Sequence, residues 1–444
     1  MLSKVNEQSG LSRRQLLKGL AVATGAAAVA ACAPPAATAP AGGDSDGGMT
    51  ERSRVRCSNF IAVMQPQAEL YNEINENYIV DFEVAPWGEM YERILLDVAA
   101  GTPPDCMVFT GPWWYGLMIQ KVTHPLNDLL QQADADGTID LDLYVVPPEK
   151  VGGYDGEIWG TAYNPPNLRA IWHNIELFDE AGADHPTDDW TWDDLTEALL
   201  KVSDPPNRFG MTPVFLWLWQ EMIWSNGGEL VSPDFTTCHL DMPESIQAIQ
   251  QAADWALEHE VVLMPADRGL LGDNVFGSGK LGCVMHAFSD WDTHLVWTNN
   301  DEFPIDLHYF PTSPNTGKRA HSGEVHIAAM FDGNNFDGGW DYFLWSTTSE
   351  DALGIQMLDV GINCAYNQDY YIEQMTGARR EWYARARQYE GIMDDIRLDW
   401  VGPKSQEIWN LFNASIDSIY LQEKTVEESM VDVTAEINAV IAEG

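Results

Sequence analysis

Positive charge is the scarcest property of this chain. Among its 444 residues only 24 are Lys or Arg, whereas 68 are Asp or Glu, so the formal net charge is −44 at pH 7. Nucleic acids and anionic lipid surfaces are bound by basic patches. The composition therefore argues against nucleic acid as a partner. It is typical of a surface that stays hydrated at high salt, where repulsion between carboxylates is screened.

Cysteine is also sparse, and the sequence lacks the common motifs of metal and nucleophilic chemistry. The six cysteines have no CxxC spacing, which argues against a zinc site. The chain contains no Gly-x-Ser-x-Gly, His-Glu-x-x-His or P-loop motif, and its histidines are irregularly spaced. Paired acids such as Asp188-Asp189 are interpreted as solvated surface or helix caps. We therefore expect no metal, no cofactor and no enzymatic activity.

Five cysteines follow Cys32, and an odd number leaves at least one thiol unpaired within the chain. We interpret them as buried free thiols. A disulfide between Cys57 and Cys106, which lie on strands that could be neighbours, is the alternative.

The N-terminus is the one extended apolar segment with little charge, but 18–32 is too short and too rich in Ala and Gly for a comfortable transmembrane span. SRRQLLK (12–18) resembles a twin-arginine export motif, and VAAC (29–32) resembles a lipobox. We therefore predict a signal peptide over 1–32 and a lipid on Cys32. Residues 33–54 are rich in Pro, Ala, Gly and Asp, and they predict a disordered tether. The protein would be exported and anchored to the outer face of the cytoplasmic membrane.

The first part of the remaining chain alternates between strand and helix patterns. Residues 55–60, 79–85 and 106–110 predict strands, and 67–78 and 87–100 predict helices. This order predicts a parallel α/β sheet with helices on its faces. Binding loops in such sheets lie at the carboxyl ends of strands, and here each of these ends carries an aromatic residue. Further helices are predicted at 191–203, 244–259, 340–346 and 406–420.

A series of segments in a fixed order resembles the extracellular solute-binding proteins of ABC sugar importers, the maltose- and glycerol-phosphate-binding type. The segments are YERILLDVAAGTPPD (91–105), 116–130, YDGEIWG (154–160), WHNIELF (172–178), AGADHPTDDWTWDDL (181–195), GG (227–228) and FGSGK (276–280) running on to Trp291. Each segment is weak alone, but their common order over some 200 residues is specific.

The resemblance implies a periplasmic-binding-protein-like type II fold, in which two α/β lobes joined by a hinge enclose a ligand cleft. Lobe 1 would comprise 55–163 plus 324–360, and lobe 2 would comprise 164–323 plus 361–444. The departures from the family pattern lie near the crossover, where GTA (160–162) and LGCVM (281–285) replace the usual residues.

Candidate ligand contacts are aromatic and polar, because a sugar presents apolar C–H faces edged with hydroxyl groups. The resemblance places Trp291, Ser289, Trp217 and Asn167 at cleft positions, with Trp219 as the alternate to Trp217. Strand ends, loops and the hinge add further candidates, which are Asn59, Phe60, Trp87, Trp113, Trp114 and Glu324. Of Trp113 and Trp114, which share a Gly-Pro loop, at least one is expected to face the cleft.

The function implied by the resemblance is capture of a sugar or oligosaccharide and its delivery to ABC permease subunits, by a monomer without catalysis. Three alternatives remain open at this point. They are a secreted carbohydrate-active hydrolase, a receptor of the same fold for a cationic amine or peptide, and a receptor for a polyol phosphate bound through Arg169.

The acid excess generates a first prediction. Raising the salt concentration should raise the thermal midpoint of unfolding, because screening reduces repulsion among carboxylates that few cations neutralise. The measurement is a thermal melt across a KCl series. A midpoint that stays flat with salt would contradict adaptation to a saline environment.

Overall fold

The computed structural model describes residues 51–165, 167–214, 217–232, 234–271, 274–287, 304–390, 396–398 and 404–443. The predicted signal peptide, the lipidation site Cys32 and most of the tether lie outside these ranges. The last two tether residues, Ser53 and Arg54, belong to the first strand instead, because they pair with the neighbouring strand at Tyr78 and Ile79.

The chain forms two main sheets. The first has five strands in the order β2-β1-β3-β12-β6, and the second has β13-β11-β7-β9-β8 with β10 also paired to β7. The strands of the first sheet are β1 (Ser53–Asn59), β2 (Tyr78–Glu83), β3 (Cys106–Thr110), β6 (Thr161–Ala162) and β12 (His326–Met330). The strands of the second are β7 (Asn167–Asn174), β8 (Phe209–Met211), β9 (Leu281–Ala287), β10 (Ile305–Tyr309), β11 (His321–Glu324) and β13 (Ile396–Leu398). A small hairpin pairs β4 (Gly153–Tyr154) with β5 (Glu157–Ile158).

Helices cover both sheets. Those up to β7 are α1 (Gln65–Ile74), α2 (Trp87–Ala99), α3 (Gly111–Ile119), α4 (Asn127–Ala135) and α5 (Pro148–Val151). Those between β7 and β9 are α6 (Ile175–Ala181), α7 (Trp192–Val202), α8 (Trp217–Ser225) and α9 (Pro243–Leu257). The later ones are α10 (Phe336–Thr348), α11 (Glu350–Gly354), α12 (Gln368–Gln374), α13 (Gly377–Glu390), α14 (Ser405–Tyr420) and α15 (Val426–Ala442), with a π-helical turn at Ile355–Val360.

The predicted parallel start of the sheet is confirmed, since β1 pairs in parallel with both β2 and β3. The later predicted helices are confirmed within a few residues at each end. One expectation is wrong: the predicted loop after β3 is helix α3, which begins at Gly111 directly after the strand. A proline in the first helical turn has no intrahelical N–H bond to lose, so Pro112 starts this helix rather than preventing it.

The central strand β3 shows why the first sheet is covered on both faces. All five of its residues are buried. Cys106 and Val108 face one hydrophobic cluster, and Met107 and Phe109 face the other. Successive strand residues point to opposite faces, so an uninterrupted apolar run requires packed layers on each side.

Local capping determines where α7 begins. Thr191 and Asp194 form a reciprocal capping box at its N-terminus. This confirms a helix-cap role for one of the acids in the paired-acid segments, rather than a catalytic role.

Asp105 joins several elements of the first sheet. Its side chain is 2% exposed. The carboxylate accepts the backbone N–H of Arg56 at 2.8 Å and that of Asn335 at 2.7 Å. Its backbone N–H donates to Arg56 and its carbonyl accepts from Phe331. The carboxylate thus ties β1 and the turn after β12 to the start of β3.

The chain passes between the two sheets in three places within the described residues. The first crossing follows β6 at Tyr163, the second is Val325 between β11 and β12, and the third leads from β12 through helices α10–α13 to β13. The first two crossings are joined by hydrogen bonds: Tyr163 N–H donates to the carbonyl of His326, and His326 N–H donates to Asn164 Oδ1, each at 2.7 Å.

The segment after the π-helical turn runs beside the first crossing. Ala365 N–H donates to the carbonyl of Tyr163 at 3.3 Å. The side chain of Gln356 donates to the carbonyls of Tyr163 and Asn363. Asn164, Gln356 and Asn363 are all buried, so these polar groups depend on one another for hydrogen bonds.

A buried histidine on β7, His173, contacts the partly exposed His185. His173 is 1% exposed, and its Nε2 lies 3.1 Å from Nδ1 of His185. His185 in turn contacts Asp179 through Nε2, at 3.1 Å. Burial lowers the pKa of His173 to about 3, partly offset by Asp306, while His308 and His185 lower it further. The fold therefore holds His173 neutral.

Asp105→Ala should lower the free energy of unfolding by about 2–4 kcal/mol, because two buried N–H groups lose a charged acceptor. Urea denaturation measures this change. Asp128→Ala, an exposed acid on α4, is the matched control and should change stability by less than about 0.5 kcal/mol. Equal effects of the two variants would contradict the bridging role of Asp105.

His173→Phe should reduce the acid sensitivity of folding. In the wild type, the pKa of His173 is about 3 in the folded state and has its ordinary value of about 6.5 in the unfolded state. The stability that it contributes is therefore complete above about pH 6.5 and is lost as the pH falls towards 3, by up to about 1.4 kcal/mol per pH unit. The stability difference between wild type and variant should consequently shrink on acidification. Urea titrations at several pH values measure it, and a difference that is constant with pH would contradict burial of a neutral imidazole. His124→Gln serves as a partly exposed control.

Candidate functional site

The carboxyl ends of β1 and β3 form the first side of the candidate site. Asn59 ends β1 and is 3% exposed, and its Oδ1 accepts the N–H of Ile61 at 2.8 Å. This carbonyl oxygen shapes the turn that follows. Phe60 is partly buried and meets His326 edge to face, with ring centroids 4.9 Å apart, and Phe109 at 6.2 Å. The first sheet therefore carries the aromatic pair Phe60 and His326 where β1 ends and β12 begins.

Three predicted tryptophans belong to the helices at these strand ends. Trp87 begins α2 and Trp113 lies in the first turn of α3, but the side chains of both lie outside the described part of the structure. Trp114 is 2% exposed and packs in the hydrophobic cluster beneath the sheet. Because the predicted loop is a helix, Trp114 turns into the core, so its burial supports a packing role.

The second sheet brings two of the predicted residues into register. Asn167 on β7 is the backbone partner of Glu324 on β11, and both stand next to a crossing between the sheets. Their side chains lie outside the described part of the structure. Arg169, two residues along β7, is 5% exposed and pairs in the backbone with Ala287, where β9 ends.

The segment after β9 carries the two candidates with the most specific resemblance. Ser289 and Trp291 follow Ala287 by two and four residues, and they lie outside the described residues. The strand register pairs Ala287, the last described residue before them, with Arg169.

Helix α8 bears the remaining candidates. Trp217 is its first residue, with a side chain outside the described part. Trp219 is 2% exposed and packs edge to face on Phe412 of α14, with ring centroids 5.9 Å apart. Of the two alternates, Trp219 is thus placed in the core of the second lobe.

The sequence interpretation missed a polar face on α8. Gln220 and Glu221 are 0% and 1% exposed, although neither belongs to the hydrophobic clusters. They lie four and three residues before Trp224 on the same helix, so these three side chains share one side of it. The signal in the sequence was the pair Gln220-Glu221 within the otherwise apolar segment WLWQEMIWS.

Trp224 leads to a second group that was missed. Its indole N–H donates to Glu229, and the guanidinium of Arg397 lies 3.9 Å from its ring centroid. Arg397 also donates to Glu229 at 2.8 Å. This stacked arginine on β13 is therefore neutralised locally by a carboxylate.

His326 is a third feature, after these two groups, that the sequence left unassigned. It begins β12 opposite Thr110, contacts Phe60, and holds the first crossing through Asn164. The sequence did not predict a role for His326, because its neighbours are determined by the register of β12 with β3. No group of three or more His, Cys, Asp or Glu side chains that could hold a metal occurs among the described residues.

The arrangement places Phe60, His326 and the buried amide Asn59 at the strand ends of the first sheet, next to the segments that cross to the second. In the part of the chain that the structure describes, no helix is both long and apolar enough to cross a bilayer. Such an arrangement can hold a small polar solute by stacking and hydrogen bonding.

Comparisons with known proteins agree with this architecture. A putative binding protein of Brucella abortus is 22% identical over 387 residues, covering 83% of this chain and 87% of that protein. An ABC substrate-binding protein from Listeria monocytogenes, solved in complex with cycloalternan, matches with a TM-score of 0.76 at 18% identity, covering 88% of this chain and all of the other. The GacH receptor of Streptomyces glaucescens, solved unliganded and with acarbose, matches with a TM-score of 0.72 at 14% identity, covering 88% of this chain and 99% of the other.

The model of the bacterial extracellular solute-binding protein family matches residues 58–361. That range includes both sheets, except for β13 and the first residues of β1, and it includes the first two crossings between them. The chain belongs to the bacterial extracellular solute-binding protein family, with its two-lobe α/β fold.

Proposed function

We propose that this protein captures a carbohydrate between its two lobes and delivers it to the permease of an ABC importer. The observation that carries the proposal is the family match across both sheets and the first two crossings. Two proteins of the same fold, from Listeria monocytogenes and Streptomyces glaucescens, were solved with the carbohydrates cycloalternan and acarbose, which supports the same ligand class here.

The chemistry of the site edges favours a neutral sugar. Phe60 and His326 supply aromatic rings on the first lobe. We assign the predicted contact Trp217, the first residue of α8, to the second lobe. A sugar needs flat apolar faces surrounded by hydrogen-bonding groups. We assign the predicted contacts Asn167, Ser289, Trp291 and Glu324 to this site.

A phosphorylated polyol requires a cation that is available to the phosphate. Arg397 is already bound to Glu229, and Arg169 is 5% exposed. These two arginines therefore favour a neutral ligand over an anionic one.

Ligand binding would bring the lobes together by bending at the crossing segments, and the permease would recognise the closed form. This is a population shift between two arrangements and requires no chemical step. With Ser53 and Arg54 in β1 and Glu324 in β11, the lobes would comprise 53–163 plus 325–360 and 164–324 plus 361–444. The lipid on Cys32 and the tether would keep a monomeric receptor near the permease.

A ligand screen tests this proposal. Neutral oligosaccharides should raise the thermal midpoint of unfolding, because ligands that bind only the folded state stabilise it by mass action. Polyol phosphates, polyamines and short cationic peptides should leave the midpoint unchanged. A shift only with amines or phosphates would contradict the carbohydrate assignment. Chromatography of the recovered sugars should show no products, and any turnover would favour a hydrolase instead.

Trp291→Ala should weaken binding of the best sugar at least tenfold, or about 1.4 kcal/mol, because an aromatic stacking surface is lost. Isothermal titration calorimetry measures the affinity. Trp340→Ala is the matched control, since Trp340 stacks on Phe343 in α10, on the far side of the first sheet's core. Undiminished binding by the Trp291 variant would show that this site assignment is wrong.

A further inference from the structure

Two cysteines lie side by side in the core of the first lobe. Cys57 on β1 and Cys106 on β3 are register partners on adjacent parallel strands. They are 2% and 3% exposed and are present as free thiols. Both contribute to the same hydrophobic cluster, so their side chains point to the same face of the sheet. Cys238, Cys283 and Cys364, the other three cysteines of the described chain, are also buried free thiols.

The strand geometry satisfies most requirements of a disulfide. Neighbouring strands lie about 4.8 Å apart, and disulfide-linked residues have Cα atoms about 4.4–6.8 Å apart. The Cβ atoms of a bonded pair must approach to about 3.8 Å, somewhat closer than ordinary strand neighbours. A bond formed here would therefore be strained, and strained disulfides are more easily reduced.

The surroundings leave room for the sulfur atoms to move. A small cavity borders both thiols, and its lining includes Tyr163, Tyr342 and Gln67. Tyr163 stands at the first crossing between the sheets. The same cavity is lined by Asn59 at the end of β1 and by Tyr163, so it connects the two thiols with both.

We propose that Cys57 and Cys106 are a modification site, which forms a reversible disulfide in the folded protein when it meets an oxidising disulfide outside the cytoplasm. Members of an extracellular family work in a compartment where disulfides persist. This site goes beyond the proposed ligand-binding function and does not depend on it.

The reaction is a thiol–disulfide exchange. One cysteine thiolate attacks a small disulfide such as oxidised glutathione, breaks its S–S bond and releases one glutathione thiolate, which takes up a proton. The second cysteine then displaces the remaining glutathione from the mixed disulfide. Both protein thiols lose hydrogen, one intramolecular S–S bond forms, and two molecules of reduced glutathione leave.

Folding restrains the rate of this exchange. A hydrogen bond with Cys57, together with burial, raises the pKa of the Cys106 thiol well above its ordinary value. Because the thiolate is the nucleophile, oxidation waits for local opening of the first sheet. Low urea concentrations, below the main unfolding transition, should accelerate it.

Mass spectrometry provides the test. The chain from residue 33 onwards, which retains the whole folded unit 51–444, is incubated with oxidised glutathione at several urea concentrations below unfolding. Before alkylation, the intact mass should fall by two hydrogens. After alkylation in denaturant, two of the five thiols should be protected from the reagent. Trypsin should then release peptide 57–93 linked to peptide 94–121. Reduced glutathione should reverse the link, with the circular dichroism spectrum unchanged.

Variants separate this pair from the other thiols. Cys57→Ala and Cys106→Ala should each abolish the linked peptide, whereas Cys283→Ala, a buried control in the second lobe, should retain it. The wild-type peptide map decides the question even if a core variant fails to fold. Five reactive thiols after every incubation, or links that join Cys57 to other cysteines, would overturn the proposal.

Discussion

The hydrogen bonds that join the crossing segments are the constraint on which the two-lobe structure depends. Asn164 holds His326, and Tyr163 holds both His326 and Ala365, so separate stretches of chain act as one connection. Tyr163, Asn164 and Ala365 are buried, so their polar groups would be costly to leave without a partner. In the proposed closure, motion between the lobes would be confined to torsions of these short segments.

Charge sets the second constraint. Several basic side chains of the described chain pair with nearby acids, as in Arg56 with Glu83 and Asp97, and Lys121 with Asp155. Exposed pairs of this kind contribute little stability individually. Because Asp and Glu number 68 and Lys and Arg only 24, the surface stays strongly negative even where such pairs form. A receptor with this surface is poorly suited to anionic ligands, and the aromatic and amide groups at the sheet edges suit neutral ones.

Much of the fold was predictable because its signals are local. The strand β3 and helix α2 follow from apolar patterning and flanking turns, and the parallel pairing of β1 with β2 and β3 follows from the alternation of strands and helices. The helix at Gly111 was missed because a Gly-Pro start reads as a loop, although proline is accepted in a first turn. Of the two tryptophans at this helix start, Trp114 is buried in the core of the first sheet.

The family and export were available from the sequence by itself, because they reside in contiguous motifs; the same motifs and the composition predict an aromatic ligand site. Strand register, by contrast, joins residues that are far apart in the chain, and only the tertiary structure decided it. Register places His326 opposite Thr110, Glu324 opposite Asn167 and Cys57 opposite Cys106. No local pattern encodes these pairs, since a shift of one residue along a strand would exchange its two faces.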